Sequence, residues 1–302
     1  MAHNHVHNNE VHQGKKLLIT IFLNLLITFS QVIGGIISGS LSLLSDALHN
    51  FSDVIALVIS FIATRLKRRK ESVKKTFGYK RAEIMAAFIN SSTLILIGVY
   101  LIYEAVQRFY LPVSIESGWV IVLSATSIVF NGISALLLIR DSHQNMNIKS
   151  AYIHLLTDML TSIAVLIGGI LMYYFNIYWI DGLLTLIIAI YLIYMSWGIL
   201  GASLKVLMQF TPSGIIIEDI SNKIINIPSV KNIHHVHIWQ LNDKQIHFEA
   251  HVEFVQDDKL SETNKILEEI RILLLEEFGI DHVTLQPEIE QCDGKELIYQ
   301  EH

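Results

Sequence analysis

A helix that crosses a bilayer needs about 20 consecutive, mostly apolar residues, and this 302-residue chain holds six such runs. They lie at about 17–37, 41–66, 84–106, 119–139, 150–174 and 179–200. A single soluble globule is excluded by this pattern. Composition agrees: charged residues make up 17%, against about 25% in an average soluble protein. The first run is polar at Asn24, Thr28 and Gln31 and has no convincing cleavage site, so it reads as a span and not as a signal peptide. One cysteine excludes an internal disulfide framework and a four-cysteine zinc finger.

The net charge of −6 conceals a division. Residues 1–202 carry 14 Lys+Arg against 10 Asp+Glu, and residues 203–302 carry 8 against 18. The predicted fold class is an all-α polytopic membrane domain of six transmembrane helices with a small cytoplasmic α+β domain. Three regions follow: a His-containing cytoplasmic tail at 1–16, a six-helix transmembrane domain at 17–202 and a polar domain at 203–302. Orientation comes from Lys and Arg in short loops. The loop after the second run holds Arg65, Lys67, Arg68, Arg69, Lys70, Lys74, Lys75, Lys80 and Arg81, which puts it in the cytoplasm of a cell-membrane protein. With six spans, both termini are then cytoplasmic. The basic loop reads as a topology signal and a contact for anionic lipid, with a specific substrate role as the lesser alternative; no nucleic-acid partner is expected.

Ionisable groups deep in a membrane cost roughly 2.5–3.5 kcal/mol each on insertion scales and mark function or pairing. His49 and Asp53 in the second run are four residues apart and share a helix face. His154 and Asp158 repeat that spacing in the fifth. One such pair could be a polar contact between helices. Two matching pairs make a four-coordinate set of two imidazoles and two carboxylates, which suits zinc and suits magnesium or calcium poorly. Asp46 lies on another face, as a supporting group, a proton carrier or an N-terminal contact. Asn24, Asn90 and Asn131 read as helix-to-helix hydrogen bonders, and Asp181 as an acid near the outer interface. Gly34-Gly35 and Gly168-Gly169 suggest close helix packing.

The last third has soluble patterning: a helix at about 215–227, strands at 230–241 and 245–255 joined by a turn at Asn242-Asp243, a helix from Ser261 as N-cap to about Phe278, and a strand at 282–289. The order is αββαβ. Strict alternation puts His235, His237 and Trp239 on one face of the first strand. It puts His247, Glu249, His251 and Glu253 on the polar face of the second. His3, His5, His7 and His12 in the tail, and His143 after the fourth run, are either metal-collecting or inert.

The segments SLSLLSDALHNFSD, FGYKRAEIMAAFIN and AYIHLLTDMLTS resemble the cation diffusion facilitator family, closest to bacterial zinc exporters, over nearly the whole chain. The resemblance implies a homodimeric antiporter that moves divalent metal out of the cytoplasm against protons. It implies that His49, Asp53, His154 and Asp158 form the transport site, with zinc the main cargo and cadmium and cobalt as possible passengers. It implies a metallochaperone-like cytoplasmic domain with a zinc site at His237, His251 and Glu288; His282 and Cys292 are weaker candidates for a second ion or a cross-dimer ligand. Two departures stand out. Lys75 and Tyr79 fall where some members carry loop histidines, so no metal site is expected there. Gln209 stands where a dimer-locking acid is often found.

Metal needs neutral imidazole and ionised carboxylate, so loading displaces protons. That suggests alternating access with metal and proton exchanged. An intramembrane zinc enzyme is disfavoured, because four protein ligands leave no open position and no nucleophile motif is apparent. A metal sensor acting through the acidic domain is the other alternative.

Overall fold

The computed structural model describes residues 22–67, 71–111, 113–142, 146–290 and 296–298. The N-terminal histidines, His143 and Cys292 lie outside them. The helices in chain order are α1 (Phe22–Ser38), α2 (Leu41–Lys67), α3 (Ala82–Tyr110), α4 (Ser117–Ser142), α5 (Met146–Phe175) and α6 (Trp179–Leu207). Then come α7 (Ile217–Ile225), β1 (Val230–Gln240), β2 (Ile246–Phe254), α8 (Leu260–Phe278) and β3 (His282–Glu288). Among the described residues, four helices are long and apolar enough to cross a bilayer, over Ala82–Tyr110, Ser117–Ile139, Tyr152–Phe175 and Trp179–Leu207. The protein is therefore a multi-pass α-helical membrane protein with a mixed α/β region. The chain forms two compact units, Met1–Ile59 with Ile89–Ile199, and Ser60–Phe88 with Leu200–His302.

The helical unit inverts the logic of a soluble bundle. Its outward surface is apolar, with Leu96, Leu136, Tyr194 and Trp197 all exposed, while many of its buried side chains are serines, Asn50, Asn131 and acids. Polar groups face one another because lipid offers them no hydrogen bonds. Ser127 and Ser162 join α4 to α5 through hydroxyls 2.9 Å apart. Ser52 Oγ donates to Asn90 Oδ1 across α2 and α3 at 3.1 Å. Asn131 instead donates to Ser127 on its own helix at 3.4 Å. Glycine permits close approaches: a Cβ on Gly35 would lie 3.1 Å from the backbone of Leu44, and one on Gly169 would lie 3.1 Å from Val120 and Ile121.

Asp181, at the start of α6, is 0% exposed, and the fold surrounds it with partners that the sequence did not indicate. Its Oδ1 accepts from Ser40 Oγ and Ser42 Oγ, both at 2.6 Å, and from the Ser42 N–H at 3.2 Å. Its Oδ2 accepts from the Leu41 N–H at 2.8 Å and from Arg108 Nη1 at 3.1 Å. Arg108 Nη1 also donates to the Gly39 carbonyl at 2.5 Å, where the chain turns at φ +70. A carboxylate from another helix thus caps the orphan N–H groups of α2 and meets the positive end of its dipole.

In the second unit the sheet order is β1-β2-β3, with β1–β2 antiparallel and β2–β3 parallel. One sheet face buries Ile233, Ile238, Phe248, Ala250 and Leu285 with Ile224 of α7 and Ile270 and Leu274 of α8. The β1–β2 turn is locked by Asn242, whose Oδ1 accepts from the N–H groups of Lys244 at 2.9 Å and Gln245 at 3.0 Å. Helix α8 begins earlier than its serine suggested: Lys259 is the N-cap and makes no side-chain cap bond, so Ser261 lies within the first turn. The helix ends on Gly279 in the left-handed region at φ 67.

Candidate metal centres

Two turns into α2, the i,i+4 repeat sets His49 above Asp53, and α5 sets His154 above Asp158 in the same way. The two helices bring all four side chains together. His154 Nε2 lies 3.2 Å from Asp53 Oδ2 and 3.5 Å from Asp158 Oδ2. His49 Nε2 lies 3.7 Å from Asp53 Oδ2 and 3.8 Å from Asp158 Oδ1. The imidazole rings meet edge to face at 5.8 Å. Each nitrogen therefore addresses both acids, one on its own helix and one opposite.

Asp158 is fully buried, yet both its carboxylate oxygens lack a hydrogen-bond partner, as does Asp53 Oδ2. Buried acceptors without donors are costly. A divalent cation among them would satisfy all of these oxygens at once. Next to the site, Asp46 Oδ2 accepts from Gln31 Nε2 of α1 at 2.8 Å and from Ser162 Oγ of α5 at 3.1 Å. It ties three helices together instead of joining the ligand set.

The second cluster lies on the sheet. His251 Nδ1 is 2.8 Å from Glu288 Oε1, and His234 Nε2 is 3.1 Å from Glu288 Oε2. His235 Nδ1 is 3.3 Å from His251 Nδ1. Candidate ligand atoms of His234, His235 and His251 all lie within 4.8 Å of one another. Three imidazoles and a carboxylate make a donor set that fits zinc. The structure brings His251 and Glu288 together as expected from the sequence, but it puts His234 and His235 beside them where His237 was expected.

The cause is a β-bulge. The register runs His234↔His251 and then His237↔Glu249, with a shift between them, and His235 adopts φ +50. Two residues on β1, His235 and Val236, oppose Ala250 alone on β2, so strict alternation fails from this point. His237 lines a cavity of about 380 Å³ with Gln209, Trp239 and Glu249. His282 is also apart from the cluster: its ring lies 4.2 Å from that of His247, which stacks on Trp239 at 5.3 Å and meets Phe77 at 5.6 Å. Burial first, then the neighbouring His282, pushes His247 below the usual histidine range. His235 is also held low, by burial and then by His251. In the loop after α2, Lys75 donates to the Tyr79 hydroxyl.

Residues 17–208 match the cation efflux transmembrane domain, and residues 212–290 match the cytoplasmic domain of cation efflux proteins. The chain belongs to the cation diffusion facilitator family. This facilitator is 38% identical over 294 residues to the cadmium, cobalt and zinc/H(+)-K(+) antiporter of Bacillus subtilis, covering 96% of this chain and 93% of that protein. It is 35% identical over 295 residues to the zinc transporter ZitB of Pectobacterium atrosepticum, covering 97% and 91%. It is 31% identical over 293 residues to the metal cation efflux system protein CzcD of Cupriavidus metallidurans, covering 97% and 92%. As a facilitator it is a cation-efflux transporter and not an enzyme.

Proposed function

We propose that this facilitator exports zinc from the cytoplasm in exchange for protons by alternating access, with cadmium and cobalt as lesser cargo. The observation that carries the reading is the convergence of His49, Asp53, His154 and Asp158 at 3.2–3.8 Å between α2 and α5. Two nitrogens and two carboxylates favour a small borderline ion over a hard one. Loading requires neutral histidines and ionised acids, so the same four groups that hold metal on one side can return carrying protons. The names of the relatives, which include zinc, cadmium, cobalt and H(+), support this cargo and this exchange.

In the fuller reading, α1 and α2 join the four long apolar helices as six spans over 17–202, and both termini and the acidic region 203–302 are cytoplasmic. The charged loop after α2 supports that orientation. The acidic region binds zinc through His234, His251 and Glu288 with His235 beside them, and two chains form a homodimer.

The test is zinc flux into proteoliposomes with and without a pH gradient, for the parent chain and for Asp53→Ala and Asp158→Ala. The expected result is gradient-driven zinc uptake that each alanine abolishes while the protein still inserts and folds. Uptake that ignores the gradient would remove the proton exchange, and full activity of both variants would remove the site.

A further inference from the structure

The knot around Asp181 has no part in the metal site. At 1.5 Å per residue, His49 and Asp53 lie roughly 12 to 18 Å along α2 from the capped Leu41. Even so, the structure spends a fully buried carboxylate and most of a buried guanidinium there. A surface ion pair contributes little, whereas removing one partner of a buried pair is strongly destabilising. The knot also joins separate elements. Asp181 belongs to α6 and Arg108 to the last turn of α3, and the groups they hold are Gly39, Ser40, Leu41 and Ser42 at the start of α2.

We infer that Asp181 is a positioning residue for transport: it anchors the first turn of α2 to α3 and α6, and this fixed end governs how fast the ligand-bearing part of α2 passes between its two exposures. Three observations argue for an anchor on motion rather than a local cap. Gly39 supplies a left-handed turn just before the anchored residues, so α1 and α2 are joined by a sharp corner. Asp181 holds two backbone N–H groups and two hydroxyls, which fixes both the position and the roll of α2. The ligand geometry has its own nearby tie, the Asp46–Ser162 bond between α2 and α5. Loss of the anchor should therefore leave the ligands together and disturb the passage between states.

This inference rests on reading α2 as a transport helix, and the experiment separates the two. Asp181→Asn keeps the shape and loses the charge. Zinc binding is measured by calorimetry on the purified full chain, and zinc flux in proteoliposomes is measured per folded transporter. The expected result is a maximal rate lowered about 10-fold, as for a gating residue far from the chemistry, with KM and zinc affinity within about threefold of the parent. Ser40→Ala with Ser42→Ala, which leaves both charges in place, should slow flux in the same way. In Asp181→Asn with Arg108→Gln, the unpaired charge is gone and the anchor stays weak, so flux should stay slow.

An unchanged rate in Asp181→Asn would overturn the inference. So would a loss of zinc affinity that matches the loss of rate, or recovery of the parent rate in the double variant, which would reduce the knot to charge balance. Absence of zinc binding in the parent chain would instead defeat the site reading.

Discussion

At the residue scale, two histidines three positions apart divide the C-terminal region's chemistry. His234 is 1% exposed and touches Glu288, while His237 is exposed and lines a different cavity. His234→Ala should lose one zinc per chain or weaken that ion about 10-fold or more, and His237→Ala should leave it in place. Equilibrium dialysis on a chain already carrying Asp53→Ala reads this ion alone; equal losses in both variants would favour the assignment to His237 that the family resemblance implies. The convergence of His49, Asp53, His154 and Asp158 was legible in the sequence because a helix repeats without interruption, so four residues always mean one face. The cluster on the sheet was only partly legible, because one extra residue in a strand reverses every later side chain. The run His234-His235-Val236-His237 gave a hint, since two adjacent histidines cannot both obey a two-residue period.

Between elements, the decisive contacts are close ones. Gly35 packs against the backbone of Leu44, which cannot move aside as a flexible side chain would. Gly35→Ala should destabilise the helical unit by about 1–3 kcal/mol, the usual range for overpacking, read as a lower melting temperature in detergent. Gly132→Ala makes a fair control, because its Cβ would meet only Met159 Sδ at 3.9 Å. The sequence indicated small residues at helix crossings, but it could not indicate which helix each glycine meets. It also could not show what Asp181 meets. Near a predicted span end an acid looks inexpensive, and only the fold brings Arg108 and the Ser40–Ser42 turn to it.

Over the whole molecule, the division between an apolar helical part and an acidic remainder was readable from composition, because lipid and water select opposite surfaces. Stability of the second unit should depend on pH. His235 and His247 both have folded pKa values below the ordinary histidine value of 6.5. Below that value the unfolded chain takes up protons that the folded chain refuses, so stability is full above it and is lost as pH falls. With a chelator present, the melting temperature of the full chain should be lower at about pH 5.5 than at about pH 7.5, and His247→Phe should shrink the difference. Phenylalanine keeps an aromatic ring against Trp239 and Phe77 but cannot titrate. A variant with the parent's full pH response would assign the effect elsewhere.

The C-terminal segment has a further consequence. The N–H of Val236 donates to the Leu297 carbonyl at 2.9 Å and that of His235 to Glu296 at 3.4 Å, on the outer side of β1. β1 is an end strand of its sheet. Bare end strands recruit strands from other molecules and lead to aggregates. Residues 296–298 act as a guard on that rim, and a chain cut before them would be expected to self-associate in solution while its transport helices stayed intact.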